Sequence, residues 1–256
     1  MSTNVATALL RRLSIGETSV LLVVAAAAWL ATIEIARGMG VVPGTMGLSL
    51  LGFLGAWTLM MAAMMLPSIA PLTSLYARTM QGRRVQRLSA LTVGYLTVWA
   101  AVGVIAFALA EGADHLARSY PGWAQAVAIG SCVACGVYQL TPLKERCLQH
   151  CRSPLGHVLR YTSWHGPLVD TRVGVDHGAW CLACCWSLML LLITFGVMNV
   201  VAMVALAVVI VVEKVFVPRR WFSVLAGLAA FGLAIGIWLD PALARGLYAA
   251  APMEPM

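Results

Sequence analysis

The sequence predicts an all-α fold, a polytopic transmembrane bundle of about seven helices. Three observations carry this. Hydrophobic residues make up 61% of the 256 and charged residues 11%, whereas a soluble domain is about half apolar and about a quarter charged. Apolar runs recur at about twenty residues, the length a helix needs to cross a core of about 30 Å. The loops between them carry Lys and Arg on alternate sides, the asymmetry that marks the cytoplasmic face. Residues 1–256 form a single membrane domain with one sizeable polar connection, 141–177.

The elements follow in order. Arg11, Arg12 and Glu17 precede an apolar run from Ser19 to Ala36. The run exceeds the apolar core of a signal peptide and no cleavage site stands out, so it reads as an uncleaved first span. Glu34 near its outer end reads as an interfacial carboxylate. The second span, Leu48 to Tyr76, contains Pro67 and Pro71, which should kink it because each removes a backbone donor. Arg78, Arg83, Arg84 and Arg87 form a basic turn before a third span, Ala90 to Ala110. A loop with Glu111, Asp114, His115 and Arg118 leads to the fourth, Trp123 to Leu140.

Five basic residues and three prolines then interrupt the chain up to Val175. The next apolar segment, Ala179 to Val212, is too long for one span, because its 34 residues would rise about 50 Å as a helix. Gly196 and Asn199 are the expected break. Trp221 to Leu239 is the last span. With the N-terminus inside and the long segment folded as a two-helix hairpin, 14 of the 17 Lys and Arg lie inside. A single broken or re-entrant segment, giving six spans, is the alternative. Gly232 and Gly236 have small-xxx-small spacing, a weak motif for which ordinary packing is the competing reading.

The chemistry gathers at the inner face. His177, Cys181, Cys184 and Cys185 stand at i, i+4, i+7 and i+8, within about a quarter-turn of one helix. Cys147, His150 and Cys151 share a face if their segment is helical. With His177 and Cys181 they would complete a four-coordinate site from two segments. Such a set suits zinc in a closed tetrahedron or copper(I), which accepts thiolates and thioethers. The competing reading is that small apolar cysteines pack in the bundle. It is stronger for Cys132, which with Cys135 forms a C-x-x-C in the fourth span. Met60, Met61, Met64 and Met65 place two thioether pairs one turn apart; with Cys132 and Cys135 they read as a relay for a soft ion or as a packed core. His115, His157 and His165 have no cysteine neighbours; Tyr138, Gln139 and Asn199 read as polar groups serving one another or helix breaks.

MMAAMMLPS in the second span, YQLTPLKERCLQHCRSPLG after the fourth, and HGAWCLACCW leading to VMN and EK resemble the bacterial family of predicted metal-binding integral membrane proteins, a family of unknown function. The resemblance covers roughly Trp57 to Lys214. It implies a multi-helix inner-membrane protein with a Cys/His metal site at Cys147, His150, Cys151, His177, Cys181, Cys184 and Cys185. Asp176 stands where the resemblance leads one to expect a basic residue, which leaves open whether a carboxylate orients His177.

Three functions remain open. One is handling of copper(I), as a permease or as delivery to a membrane metalloenzyme or metallochaperone. The second is a thiol–disulfide oxidoreductase, disfavoured because these thiols are expected on the reducing side. The third is a structural zinc clasp. No nucleotide loop, nucleophile elbow or haem attachment motif is present. The basic residues spread along the inner rim, where anionic lipid would meet them, which argues against nucleic acid. Self-association stays open.

Overall fold

The computed structural model describes residues 2–39, 44–79, 82–153, 156, 160–161, 163–216 and 220–248, with only the backbone of 2–18, 79 and 216. His157, Arg219 and the side chains of Arg11 and Arg12 lie outside what is described. Among the described residues there are eight α-helices and no strand: α1 (Ser2–Met39), α2 (Leu50–Thr79), α3 (Arg84–Ser119), α4 (Pro121–Leu140), α5 (Pro142–Arg152), α6 (Val169–Phe195), α7 (Val200–Val211) and α8 (Arg220–Leu239). A π turn, Val212–Phe216, follows α7.

Among the described residues, six helices are long and apolar enough to cross a membrane: α1 from Ser19, α2, α3, α4, α6 and α8. The expected seventh is shorter. The 12 residues of α7 rise about 18 Å, and the π turn extends it. The break falls at the expected residues. Gly196 takes φ +97°, a conformation open to glycine because it has no Cβ. Asn199 caps α7, accepting from the Ala202 amide at 3.2 Å, and donates to the Phe195 carbonyl at 3.0 Å. The chain reverses there, and α7 runs back along α6 until Lys214 meets Cys181.

The polar connection is more ordered than its composition suggests. Thr141 caps α5, its hydroxyl accepting from the Lys144 amide at 3.2 Å, and Pro142 occupies the first turn. α6 starts at Val169, so His177 lies about two turns inside a helix and not ahead of one. Tertiary contacts hold this polar first third. Asp170 accepts from Arg87 at 3.0 Å and from Tyr76 at 2.7 Å, tying α6 to α3 and α2. α2 is continuous through Pro67 and Pro71, with Ser68, Thr73 and Ser74 donating to nearby carbonyls.

α3 and α6 make the closest helix contact, through glycines. A Cβ on Gly174 would stand 2.0 Å from the Leu91 carbonyl oxygen, and one on Gly94 would stand 2.2 Å from that of Thr171. Gly178, four residues after Gly174, packs on Val98 and Tyr95. This is the small-xxx-small contact of the bundle. The Gly232 and Gly236 pair is not: nothing lies within 4 Å of a Cβ built on Gly232, and Gly236 meets only the Leu243 side chain. Spacing alone does not distinguish a glycine that faces a helix from one that faces outward.

Gly174→Ala should therefore lower thermal stability in detergent, by the cost of overpacking, about 1–3 kcal/mol or more, because its neighbour is backbone and cannot rotate away. Gly232→Ala should be neutral or stabilising, since alanine favours a helix interior by about 0.5–1 kcal/mol. Equal melting temperatures for the two variants would contradict the assigned contact.

Candidate metal centre

Cys181, Cys184, Cys185 and His177 are buried on one side of α6. The thiols of Cys184 and Cys185 donate to the Cys181 carbonyl, at 3.2 Å and 2.9 Å. The sulfur of Cys181 has two further neighbours. Lys214 Nζ donates to it at 2.8 Å, and Tyr95 Oη lies 2.9 Å away.

α5 brings the second group. Cys147 and Cys151 fall one turn apart, Cys147 buried and Cys151 half-buried. Cys151 Sγ lies 3.7 Å from Cys184 Sγ. With metal–sulfur bonds near 2.3 Å, two sulfurs about 4 Å apart can share one ion. The hydrogen bond to Cys184 holds the Cys151 thiol well above the usual thiol range, and burial adds to it. Burial likewise pushes the Cys147 thiol up. His150 stacks on Trp180 with ring centroids 4.0 Å apart. The His177 ring lies 6.2 Å from that of Tyr95.

The meeting of α5 and α6 is thus between Cys151 and Cys184, about one turn beyond Cys181 and two beyond His177, the partners that the spacing suggested. Among the described residues, no three His, Cys, Asp or Glu side chains are grouped to hold one ion. The arrangement is one sulfur pair, Cys151 with Cys184, beside the buried Cys181 and Cys185, and all seven cysteines are free.

The electrostatics overturn one expectation. Lys144 and Lys214 count, by position, among the basic residues of the inner rim, but Lys144 is buried and the half-buried Lys214 turns inward to a thiol. Lys144 is 1% exposed, and its ammonium donates to the Cys184 carbonyl at 2.7 Å and to Glu213 at 2.8 Å. Glu213 is buried on the π turn, and Arg152 donates to its backbone carbonyl at 2.7 Å. Lys214, next in the chain, points at Cys181. Tyr95 was also missed, since an aromatic in an apolar run carries no signal. A charged Glu-Lys pair closing an apolar segment was the available clue for the other two.

The other sulfur candidates lie elsewhere. Met60, Met61, Met64 and Met65 are fully buried on α2. Cys132 and Cys135 are fully buried on α4, and the Cys135 thiol lies 3.8 Å from the Ser187 hydroxyl of α6.

A family model described as PpoB2, copper chaperone, matches residues 54–238. The chain belongs to the PpoB2 copper chaperone family. No curated protein and no solved structure matches it. Membership gives a copper-related function. The metal-related part of the resemblance stands, and a copper family takes the place of one without a function. The match includes α5, α6 and the π turn, the elements that bring sulfurs and charges to the cluster.

Lys144→Met should destabilise this copper chaperone family member by about 3–5 kcal/mol, because it leaves the Glu213 carboxylate buried without its partner. Lys144→Met with Glu213→Leu should recover much of that loss, since the orphaned charge is gone. Chemical unfolding of the two variants in detergent reads the difference; equal loss in single and double variants would mean that the ammonium acts mainly through the Cys184 carbonyl.

Proposed function

We propose that this protein is a multi-pass protein of the bacterial inner membrane that holds copper(I) as cargo at its thiol cluster and hands it on. The reading rests chiefly on the 3.7 Å approach of Cys151 and Cys184 beside Cys181 and Cys185 in a buried site. Paired soft sulfurs in dry surroundings suit copper(I), which is satisfied by two or three thiolates, better than zinc, which takes four ligands in structural sites. The family description names copper, and zinc has no support of its own. Cys147, His150 and His177 would be flanking ligands, one turn or two from the sulfur pair.

Delivery rather than a reaction fits the surroundings. Cys181, Cys184 and Cys185 are at most 1% exposed, which shields an ion held among them from solvent. The half-buried Cys151 at the end of α5 is the route by which a metallochaperone or a membrane metalloenzyme would exchange the ion. Lys214 supplies a fixed positive charge beside the sulfurs, which favours thiolates in a medium of low dielectric.

The experiment is elemental analysis of the full chain purified under reductant. Copper should co-purify with the wild type and be lost from Cys184→Ala and from Cys151→Ala. Zinc in place of copper, or copper retained by Cys184→Ala, would overturn the assignment. Topology is checked separately: a reporter after Ser153 should sit in the cytoplasm and one at the C-terminus outside. A cytoplasmic C-terminus would mean that α7 does not return across the bilayer.

A further inference from the structure

We infer that the groove between α1, α2 and α3 binds one anionic phospholipid, with an acyl chain along the groove and the phosphate at the arginine turn between α2 and α3. The site is separate from the thiol cluster and independent of what that cluster carries.

The groove has a volume of about 280 Å³. α1 contributes Val24, α2 contributes Thr73, and α3 contributes Val85, Ser89, Thr92 and Val93. The four α3 positions stand at i, i+4, i+7 and i+8, one stripe of that helix. From Val85 to Val93 the stripe rises about 12 Å, most of the depth of one leaflet, which is half of a core of about 30 Å. The lining presents mainly carbon. The Thr92 hydroxyl donates to the Leu88 carbonyl at 2.9 Å and that of Thr73 to the Ala70 carbonyl at 3.1 Å, so both donors turn back on their own helices. Val24, Val85 and Val93 are 48%, 78% and 60% exposed. An open apolar strip of this length suits a hydrocarbon chain.

One end of the strip is cationic. Val85 directly follows Arg83 and Arg84, and Arg78 stands in the last turn of α2. Arg78 and Arg83 are exposed, and among the described residues the Arg83 guanidinium has no partner. Arg87, by contrast, is spent on Asp170. Glu17, two turns before Val24 on α1, lies toward the same end with its side chain outside what is described; one carboxylate against three arginines leaves the mouth positive. A phosphodiester supplies the charge and the acceptor oxygens that guanidinium groups recognise.

The two features together select the occupant. Free phosphate would satisfy the arginines and leave the valines uncovered. A zwitterionic lipid would cover the valines and bring a cation of its own to the turn. An anionic lipid satisfies both. α1 packs on α2, and the groove lies between α1 and α3, so a chain seated there bridges α1 to α3. A ligand that binds the folded bundle stabilises it.

The test follows thermal unfolding of the full chain in a non-ionic detergent as phosphatidylglycerol or phosphatidylcholine with the same acyl chains is added. Phosphatidylglycerol should raise the Tm saturably, and at lower concentration than phosphatidylcholine. Arg83→Gln with Arg84→Gln should weaken the apparent affinity for phosphatidylglycerol by about 30-fold and leave that for phosphatidylcholine unchanged. Ser89→Leu with Thr92→Leu fills the groove and should abolish the shift by either lipid. Arg146→Gln, which removes an exposed arginine of α5, should alter neither affinity; an effect equal to that of the double glutamine variant would mean that surface charge alone attracts the lipid, and would overturn the site. A phosphatidylglycerol preference that survives in the double glutamine variant overturns it as well, as does a full shift in the groove-filled variant or the same shift from inorganic phosphate. Native mass spectrometry of the wild type should retain one phosphatidylglycerol per chain, and retention of none overturns the site even where a variant fails to fold.

Discussion

A lysine ammonium and a glutamate carboxylate sealed together in the interior hold the chemical end of this bundle in place. Lys144 comes from α5, Glu213 from the π turn after α7, and the third partner, the Cys184 carbonyl, from α6. Each charge taken alone would be too costly to bury, so neither segment can leave without the other. The pair thereby fixes α5, which carries Cys147 and Cys151, against α6, which carries the other thiols. It also sets the position of the next residue, Lys214, whose ammonium lands on the Cys181 sulfur. The π turn serves this arrangement. An extra residue per turn changes which way successive side chains point, and here it lets Glu213 and Lys214 reach two different partners.

A cluster of buried sulfurs next to a fixed cation is selective by softness more than by shape. Hard ions would demand oxygen ligands, whereas Cys151 and Cys184 meet sulfur to sulfur. Cys151 is half-buried beside three buried thiols, so it is the sulfur of this group nearest the surface. That asymmetry suits a protein that takes up and passes on an ion. The close glycine contact between α3 and α6 also matters here, because it brings Tyr95 near enough to lie 2.9 Å from the Cys181 sulfur.

The hairpin of α6 and α7 converts a sequence feature into a site. The segment was too long for one span, and Gly196 and Asn199 marked where it must turn. Phe195 follows Cys181 by 14 residues, and Lys214 follows Val200 by 14, so the two arms match at about 21 Å. Had the break fallen a few residues either way, Lys214 would miss the thiol. Copper family membership, from residues 54–238, takes in both arms and the turn.

The sequence by itself determined the helical class, the break in the long segment, the sulfur stripe of α6 and the sharing of a face by Cys147 and Cys151. Each follows from composition or from the 3.6-residue period, which are local and need no knowledge of neighbours. Tertiary structure decided the rest. It decided that Cys151 meets Cys184 and that Gly174, not Gly232, makes the helix contact. It also decided that Lys144 lies inside and that Lys214 turns to the Cys181 sulfur, although their positions suggested the rim. A lysine near a helix end looks the same in sequence whether it faces lipid headgroups or a thiol. Only the relative rotation and depth of the packed helices choose between them, and those are set by contacts between residues far apart in the chain, such as Lys144 with Glu213 and Gly174 with Leu91.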